Sequence, residues 1–566
     1  MSSYRGRHFA GTTTKPVPTA SAPVEPGTTT PPVASDASSA EASVGRSAAL
    51  MSVLVIVSRI TGFFRTWGQA YALGVTVMAS CYTVANNLPN QLYELVMGGM
   101  LITAFLPVYM SVRKRAGAEG ASRYASNLVS LVVIIMGAVA VLGLVFAAQV
   151  IWTQSFNATE EFDFDLATYF FRFFVIEVVL YALSSILSGI LNAERDYFWS
   201  TAAPIFNNVV CTASFFIYAA LADSNPTIAI LALAIGNPAG VLIQVVMQIP
   251  SLKKHGIHIR PYVDVHDPAI RETLSIGIPS LIVTGASFVT YSVQTSCQLS
   301  VTVSGASVGY YARLWYTLPY AILSIPITTA MFTELSSRVA EGDMDGFVAG
   351  VSSGTAKIMF YLVPFAMFLM VFAPCLITLL AAGKFTADQI DMTGRYLVVL
   401  AVSLPFYGVC TYLQKVCSSL RRMRVFAVAS VVAAIVQVLF CFVFTPLFGL
   451  DMVALSSLLF FIAVDLVSFV SLKRTLGRVG MRSVVVATLR ACAFGVAGAV
   501  VGGAILWVLT TFWAPLGDSA MRAFLYCVIA GIPAVIVTFG LAMRAHVPEM
   551  SFLDGILDKV RRRLGR

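Results

Sequence analysis

Charge is scarce in this chain. Asp, Glu, Lys and Arg make up 11% of its 566 residues, against 58% hydrophobic residues. A soluble protein of this size needs far more polar surface, so the balance excludes a soluble fold. Negative charge is the scarcer sign, with 28 Asp and Glu against 37 Lys and Arg. In a soluble protein the net +9 would point to nucleic acid. Here the placement of the charges along the chain explains it better, and no nucleic-acid partner is expected. Enzyme signatures are also missing. There is no G-x-x-x-x-G-K-[ST], no G-x-G-x-x-G after a strand, no H-E-x-x-H, and no pair of acids in a hydrophilic loop. The loops are too short for a nucleotide-binding domain. Neither an ATP-driven pump, an enzyme with catalytic residues, nor a cofactor is expected.

Metal-binding and disulfide patterns are absent as well. Nine cysteines are present, all in apolar segments and none in C-x-x-C, so they read as buried free thiols. His255, His258 and His266 share one loop, without cysteines beside them, and read as solvated rather than as a metal site.

Long apolar runs are what the sequence does have. A helix needs about 20 apolar residues to cross the hydrocarbon. On that basis spans are predicted near 48–76, 79–110, 126–150, 168–191, 203–222, 228–249, 273–300, 306–336, 354–382, 391–419, 425–446, 451–472, 486–511 and 521–544, about fourteen in all. Residues 1–46, rich in Ser, Thr, Pro and Ala, read as a disordered tail, followed by an uncleaved first span. Basic residues fall in alternate loops: Arg113, Lys114, Arg115 and Arg123, then Lys253 and Lys254, Arg421, Arg422 and Arg424, and Lys473 and Arg474. By the positive-inside rule those loops and both termini are cytoplasmic. The outer loop NATEEFDFD is acidic. The tail 546–566 places Phe552, Ile556, Val560 and Leu564 at helical spacing among arginines, the pattern of an amphipathic helix on the inner leaflet.

Polar residues inside the spans are the candidate site. Arg59 lies about mid-span in the first run, and Arg65 follows it. A charge near the bilayer centre costs at least about 2.5–3.5 kcal/mol, and arginine cannot shed its proton to avoid that cost. Ser58 joins them in span one. Asn86, Asn87, Asn90, Gln91 and Glu94 lie in span two, Glu177 in span four, Gln294 and Gln298 in span seven, Arg313 in span eight, and Asp465 in span twelve. Two readings compete. Either Arg59 or Arg65 pairs with Glu94 and fixes helix packing, or the basic groups face a water-filled cavity and bind an anion. The excess of basic over acidic deep residues favours the anion for Arg59 and Arg65 and leaves Glu94 open. Prolines such as Pro89, Pro319 and Pro326 mark kinks. One internal echo is visible: 88–111 resembles 318–337, six spans apart, as in transporters built from parallel repeats.

Ser58-Arg59-Ile60-Thr61-Gly62-Phe63-Phe64-Arg65 resembles the opening S-R-x-x-G-F-x-R of the MurJ (MviN) family of lipid II flippases. Asn86-Asn87-Leu88-Pro89-Asn90 with Tyr93-Glu94 looks like the actinobacterial form of its next motif. Tyr310-Tyr311-Ala312 and Gly383-Lys384-Phe385-Thr386 are similar to two later ones. The resemblance covers residues 47–545. It implies an all-α polytopic membrane fold of the MOP exporter superfamily. Six-helix lobes at 47–250 and 273–472 would enclose a central cavity, and two extra helices at 486–545 would form a lipid-tail groove. It implies diphosphate binding by arginines in spans one, two and eight, which here means Arg59, Arg65 and Arg313, with Ser58, Asn86, Asn87, Asn90 and Glu94 as polar cavity residues. The chain departs from the family pattern at several places, among them Ser80 at an acidic position and Leu314 at the span-eight arginine position. Asn87 replaces the span-two arginine, Arg313 stands where span eight usually has an acid, and Gln294 replaces a span-seven Asp. The sodium site of some members is therefore not expected, and no metal is.

The implied function is to flip undecaprenyl-diphosphate-linked disaccharide-pentapeptide, lipid II, from the inner to the outer leaflet of the bacterial cytoplasmic membrane by alternating access. Membrane lipids and cell-wall synthesis proteins are the other implied partners. The alternatives are a flippase for another lipid-linked oligosaccharide, a multidrug exporter of the same superfamily, or a non-transporting scaffold for cell-wall synthesis.

Overall fold

The computed structural model describes the backbone of residues 35–98, 105–381, 384–477, 480–517 and 519–550, and their side chains except at 35–52, 97, 98 and 271–280. The described residues form helices and the turns that join them. In chain order they are α1 Ser35–Leu73, α2 Val77–Tyr93, α3 Leu106–Val145, α4 Ala147–Ser155, α5 Phe164–Phe174, α6 Glu177–Ala193, α7 Tyr197–Leu221, α8 Pro226–Val246, α9 Ile249–Lys254, α10 Pro268–Val301, α11 Gly305–Pro319, α12 Ile325–Glu341, α13 Met344–Ala381, α14 Ala387–Ala401, α15 Leu404–Ser419, α16 Met423–Phe448, α17 Leu450–Leu476, α18 Met481–Val508 and α19 Ala520–Arg544. The chain divides into two units, Met1–Ala49 and Leu50–Arg566. Of the first, only the helical backbone from Ser35 is described. The second carries the features that follow.

Local chemistry starts these helices. The Thr76 hydroxyl accepts from Ala79 N at 3.2 Å and caps α2. Thr386 and Gln389 form a reciprocal capping box at α14. Asn225 caps α8, with Pro226 in its first turn. Within the second unit, α2 packs on α5 and α6, α3 on α6, and α7 on α8. A second group forms where α10 packs on α16, α16 on α17, and α13 on α12, α14 and α15. The groups meet where α10 touches α4 and α3, and α11 touches α2. Helices α18 and α19 pack on each other and on α13. The apolar interiors are separate: Phe105, Tyr109 and Ile186 belong to one, Tyr82, Phe170 and Phe174 to a second, and Phe347, Ile358 and Leu413 to a third.

Among the described residues, ten helices are long and apolar enough to cross a membrane, or eleven if the bent pair α14–α15 is one span. The chain is an all-helical, multi-pass membrane protein. The sequence-based count is higher by the spans expected at 48–76, 79–110 and 273–300, which fall on α1, α2 and α10: α2 is 17 residues long, and parts of all three expected spans lie outside the residues whose side chains are described. Two boundaries also differ. The first helix begins at Ser35, inside the segment read as disordered, and 1–34 lie outside the described residues, as does 551–566 of the expected amphipathic tail. The expected loop after residue 110 is helical. It lies within α3, whose axis breaks at Gly117, where φ is +64°. That left-handed backbone is open to glycine at little cost. Both segments of the internal echo carry a π-helical turn, Glu94–Gly98 and Tyr320–Ser324.

Candidate functional site

A polar cavity of about 250 Å³ lies where α2, α10 and α11 meet. Helical spacing builds its walls. Thr83, Asn87, Asn90 and Glu94 recur three or four residues apart and so share one face of α2 and the turn that follows. Tyr291, Gln294 and Gln298 share a face of α10, and Tyr310 and Arg313 a face of α11. The amides are mostly fixed. Asn87 Nδ2 donates to the Tyr291 hydroxyl at 2.7 Å, and Gln298 Nε2 donates to the Tyr396 hydroxyl at 2.7 Å. Gln294 Nε2 donates to Ser456 and Ser457 of α17 at 3.2 and 2.8 Å. The Arg313 guanidinium lies 5.6 Å from the Tyr291 ring centre, within cation–π range. It forms no ion pair among the described residues. Glu94, exposed in the same cavity, accepts from Asn90 Nδ2 at 3.4 Å. The cavity thus presents one unpaired cation among pre-oriented amides, a donor set suited to an anion.

Close approach of α10 and α11 gives Arg313 its direction. A Cβ at Gly305 would sit 2.2 Å from the Gln298 carbonyl oxygen, and one at Gly309 would sit 2.4 Å from Gln298 Nε2. Only glycine admits that separation.

The other predicted residues lie elsewhere. Asn86, adjacent to Asn87, points about 100° away around α2. It hydrogen-bonds Asn237 of α8 in a buried cluster. Asn237 Nδ2 also donates to both oxygens of Glu177 at 3.0 Å, and Glu177 is 0% exposed. Arg65 acts electrostatically on Glu177, Tyr181 and Tyr310. The acid in electrostatic reach of Arg65 is therefore Glu177, and neither Glu177 nor Glu94 forms an ion pair among the described residues. Tyr310 lines the cavity, so Arg65 stands behind its wall. Ser58 lies on α1, where its carbonyl oxygen accepts from Asn208 Nδ2 at 3.3 Å. Arg59 is exposed on the same helix, one turn from Phe63, which packs edge-on against Trp315 of α11 at 5.6 Å. The structure brings Asn87, Asn90, Glu94 and Arg313 together. Arg65 and Asn86 belong to the neighbouring cluster, while Ser58 and Arg59 lie outside the cavity. Glu177 was visible in the sequence as a deep acid, but no spacing linked it to Arg65. Gln294 and Gln298 were visible as the polar pair of span seven.

One end of the bundle is bonded shut. The Tyr311 hydroxyl donates to Gly74 O at 2.9 Å, and Gln389 Nε2 donates to Val75 O at 3.0 Å. Ser307 N donates to Ser80 Oγ at 3.3 Å. Thr159 N donates to Leu299 O at 3.1 Å, and Asn157 N to Ser296 Oγ at 2.8 Å. Behind α11 an apolar groove of about 520 Å³ runs between α13 and α19, walled by Phe365, Phe368, Phe372, Phe524, Val528 and Ile532. Trp315 lines it too. Two residues apart on a helix is about 200°, so α11 shows Arg313 to the cavity and Trp315 to the groove. Among the described residues no three His, Cys, Asp or Glu side chains group as metal ligands.

Comparison with known proteins agrees with this architecture. The family description "Lipid II flippase MurJ" matches residues 69–524. A probable lipid II flippase MurJ of Vibrio cholerae is 23% identical over 520 residues, covering 88% of this chain and 97% of that protein. Its counterpart from Borreliella burgdorferi is 22% identical over 427 residues, covering 75% and 83%. A solved lipid II flippase MurJ in an inward closed conformation superposes with a TM-score of 0.70 at 19% identity, covering 88% of this chain and 99% of that one. An inward-facing multidrug resistance MATE transporter of the MOP superfamily reaches 0.63 at 13% identity, covering 75% and 98%. At these identities the superpositions establish the fold.

Proposed function

The chain belongs to the lipid II flippase MurJ family of membrane transporters, and we propose that it carries the undecaprenyl-diphosphate-linked precursor of peptidoglycan from the inner to the outer leaflet. The observation that carries this reading is the unpaired Arg313 in a polar cavity, with an apolar groove on the opposite side of the same helix. The substrate has the same division. Its sugars, peptide and diphosphate pay a desolvation cost in hydrocarbon, and its polyprenyl tail does not. A guanidinium forks across two phosphate oxygens and stays charged, so Arg313 holds the diphosphate, with Asn87 and Asn90 beside it. Arg65, behind Tyr310, and Arg59, on the exposed side of α1, complete the set as the bundle opens. Ser58, Asn86 and Glu94 contribute polar surface along the route. The tail lies between α13 and α19.

The lobes 47–250 and 273–472 rock about the bonded end, and 486–545 supplies the groove. At about 250 Å³ the cavity is smaller than the usual site for a drug-sized ligand. A disaccharide-pentapeptide therefore enters only when the helices part at the end opposite the seal. The basic loops and both termini face the cytoplasm by the positive-inside rule, which makes the bonded end the outer one. The span-two sequence with Asn87 fits the actinobacterial type. The test is reconstitution of the full chain in liposomes with fluorescent lipid II and, separately, a fluorescent phosphatidylcholine. Protein-dependent movement of the first alone supports the reading. Movement of neither indicates a scaffold.

A further inference from the structure

One deep carboxyl has no part in this scheme. Asp465 lies in α17, roughly 16 Å from the helix end at Leu476. It is 6% exposed. Among the described residues neither Oδ1 nor Oδ2 has a hydrogen-bond partner, and no cation pairs with it. One turn on, Ser468 is fully buried, and its Oγ is also without a partner. Val464, the neighbour of Asp465, belongs to a small separate cluster with Cys410 and Cys417 from α15 and Phe426, Ala429 and Ala433 from α16, with Val283 of α10 against it. Among the described residues, the titratable group in electrostatic reach of Asp465 is the Cys410 thiol of α15. Helices α16 and α10 bring apolar side chains there. Other charges on α17 lie near its ends: Asp451, bound to Arg395 of α14, and Lys473 and Arg474.

We propose that Asp465 is a proton-binding site whose occupancy follows the packing of α15, α16 and α17, so that lipid movement by this chain draws on a proton gradient. An ionised carboxylate without a cation or donor is too costly in this setting, so the packed state holds the neutral acid. When the helices part, water reaches the acid. The O–H bond then breaks, the proton passes to that water, and the carboxylate is left hydrated. Repacking requires a proton to be taken up again. A hard metal cation asks for several oxygen ligands. Beside the Asp465 carboxyl and the Ser468 hydroxyl the described neighbours are a thiol and hydrocarbon, too few oxygens for such a cation, so a proton is the ion that fits. The inference rests on the transport reading for its link to lipid movement, but the proton site itself does not.

The full-length protein in proteoliposomes with labelled lipid II tests it, under pH gradients of opposite sign. The wild type should move lipid several-fold faster under one sign than the other, and Asp465→Asn should lose that difference. In parallel, infrared spectra of the purified chain at neutral pH should show a protonated carboxyl band that shifts in D2O and is missing in D465N. Where D465N does not fold, Asp465→Glu should displace the band. Equal wild-type rates under both signs overturn the coupling. A protonated carboxyl signal unchanged by either variant overturns the site. If no lipid moves at all, the transport reading fails, and the infrared result still decides the proton site.

Discussion

The Asn87 amide donates to the Tyr291 hydroxyl at 2.7 Å, tying α2 to α10 beneath the Arg313 guanidinium, which lies 5.6 Å from the centre of that same ring. The tie holds the aromatic face on which Arg313 rests. Asn87→Leu removes the donor and frees the ring. A hydrogen bond of this kind contributes about 1 kcal/mol, so lipid II binding measured on the purified protein should weaken by about fivefold. Tyr291→Phe should lose a similar amount while keeping the cation–π contact.

The Glu177 carboxylate takes two bonds from Asn237 and stands near Arg65. Glu177→Ala leaves the buried Asn237 amide without its acceptor. A buried donor left without its acceptor costs about 1–3 kcal/mol. A marked fall in thermal-unfolding temperature is the expected outcome. Glu177→Gln, which keeps one acceptor, should lose less.

Which residues form the site was only partly legible in the sequence. The arginines, the asparagine run and the glutamine pair were each visible as polar groups in apolar helices, and the all-helical membrane class followed from composition. Neighbouring residues on a helix point about 100° apart, so Asn86 and Asn87 had to face different partners, but nothing local says which one meets the cavity. The same rotation placed Arg313 away from the arginine position of the family pattern, and only the packing of α10 against Gly305 and Gly309 shows that it meets the cavity. The acid in electrostatic reach of Arg65 is 112 residues away in sequence, at Glu177, beyond any spacing rule.

The Tyr311 hydroxyl bonded to Gly74 O is one of the bonds closing the end of the bundle. Tyr311→Phe removes about 1 kcal/mol from the closed state. The open population should rise by about fivefold, read as faster labelling of Ser80→Cys by a membrane-impermeant thiol reagent added from outside.

Gly305 has a backbone oxygen where a Cβ would sit, and a backbone atom cannot turn aside as a flexible side chain can. Gly305→Ala should therefore push α11 from α10 and lower stability by about 1–3 kcal/mol. Gly394, with open space around it, should accept alanine with no such loss.

Charge in the groove between α13 and α19 separates tail from headgroup. Ile532→Arg places a cation in the apolar groove proposed to take the tail. Transport of full-length lipid II should fall by at least tenfold, while binding of a short-chain soluble diphosphate analogue to the cavity stays unchanged.

Transport of fluorescent lipid II by Arg313→Ala in proteoliposomes, compared with wild type at equal amounts of folded protein, tests the account most directly. Hydrogen bonds to a charged group are worth about 1.5–3 kcal/mol, so the rate should fall by about ten- to a hundredfold, with Arg313→Lys in between because it keeps the charge and loses the fork. Wild-type transport by Arg313→Ala would contradict the claim that this cavity holds the diphosphate.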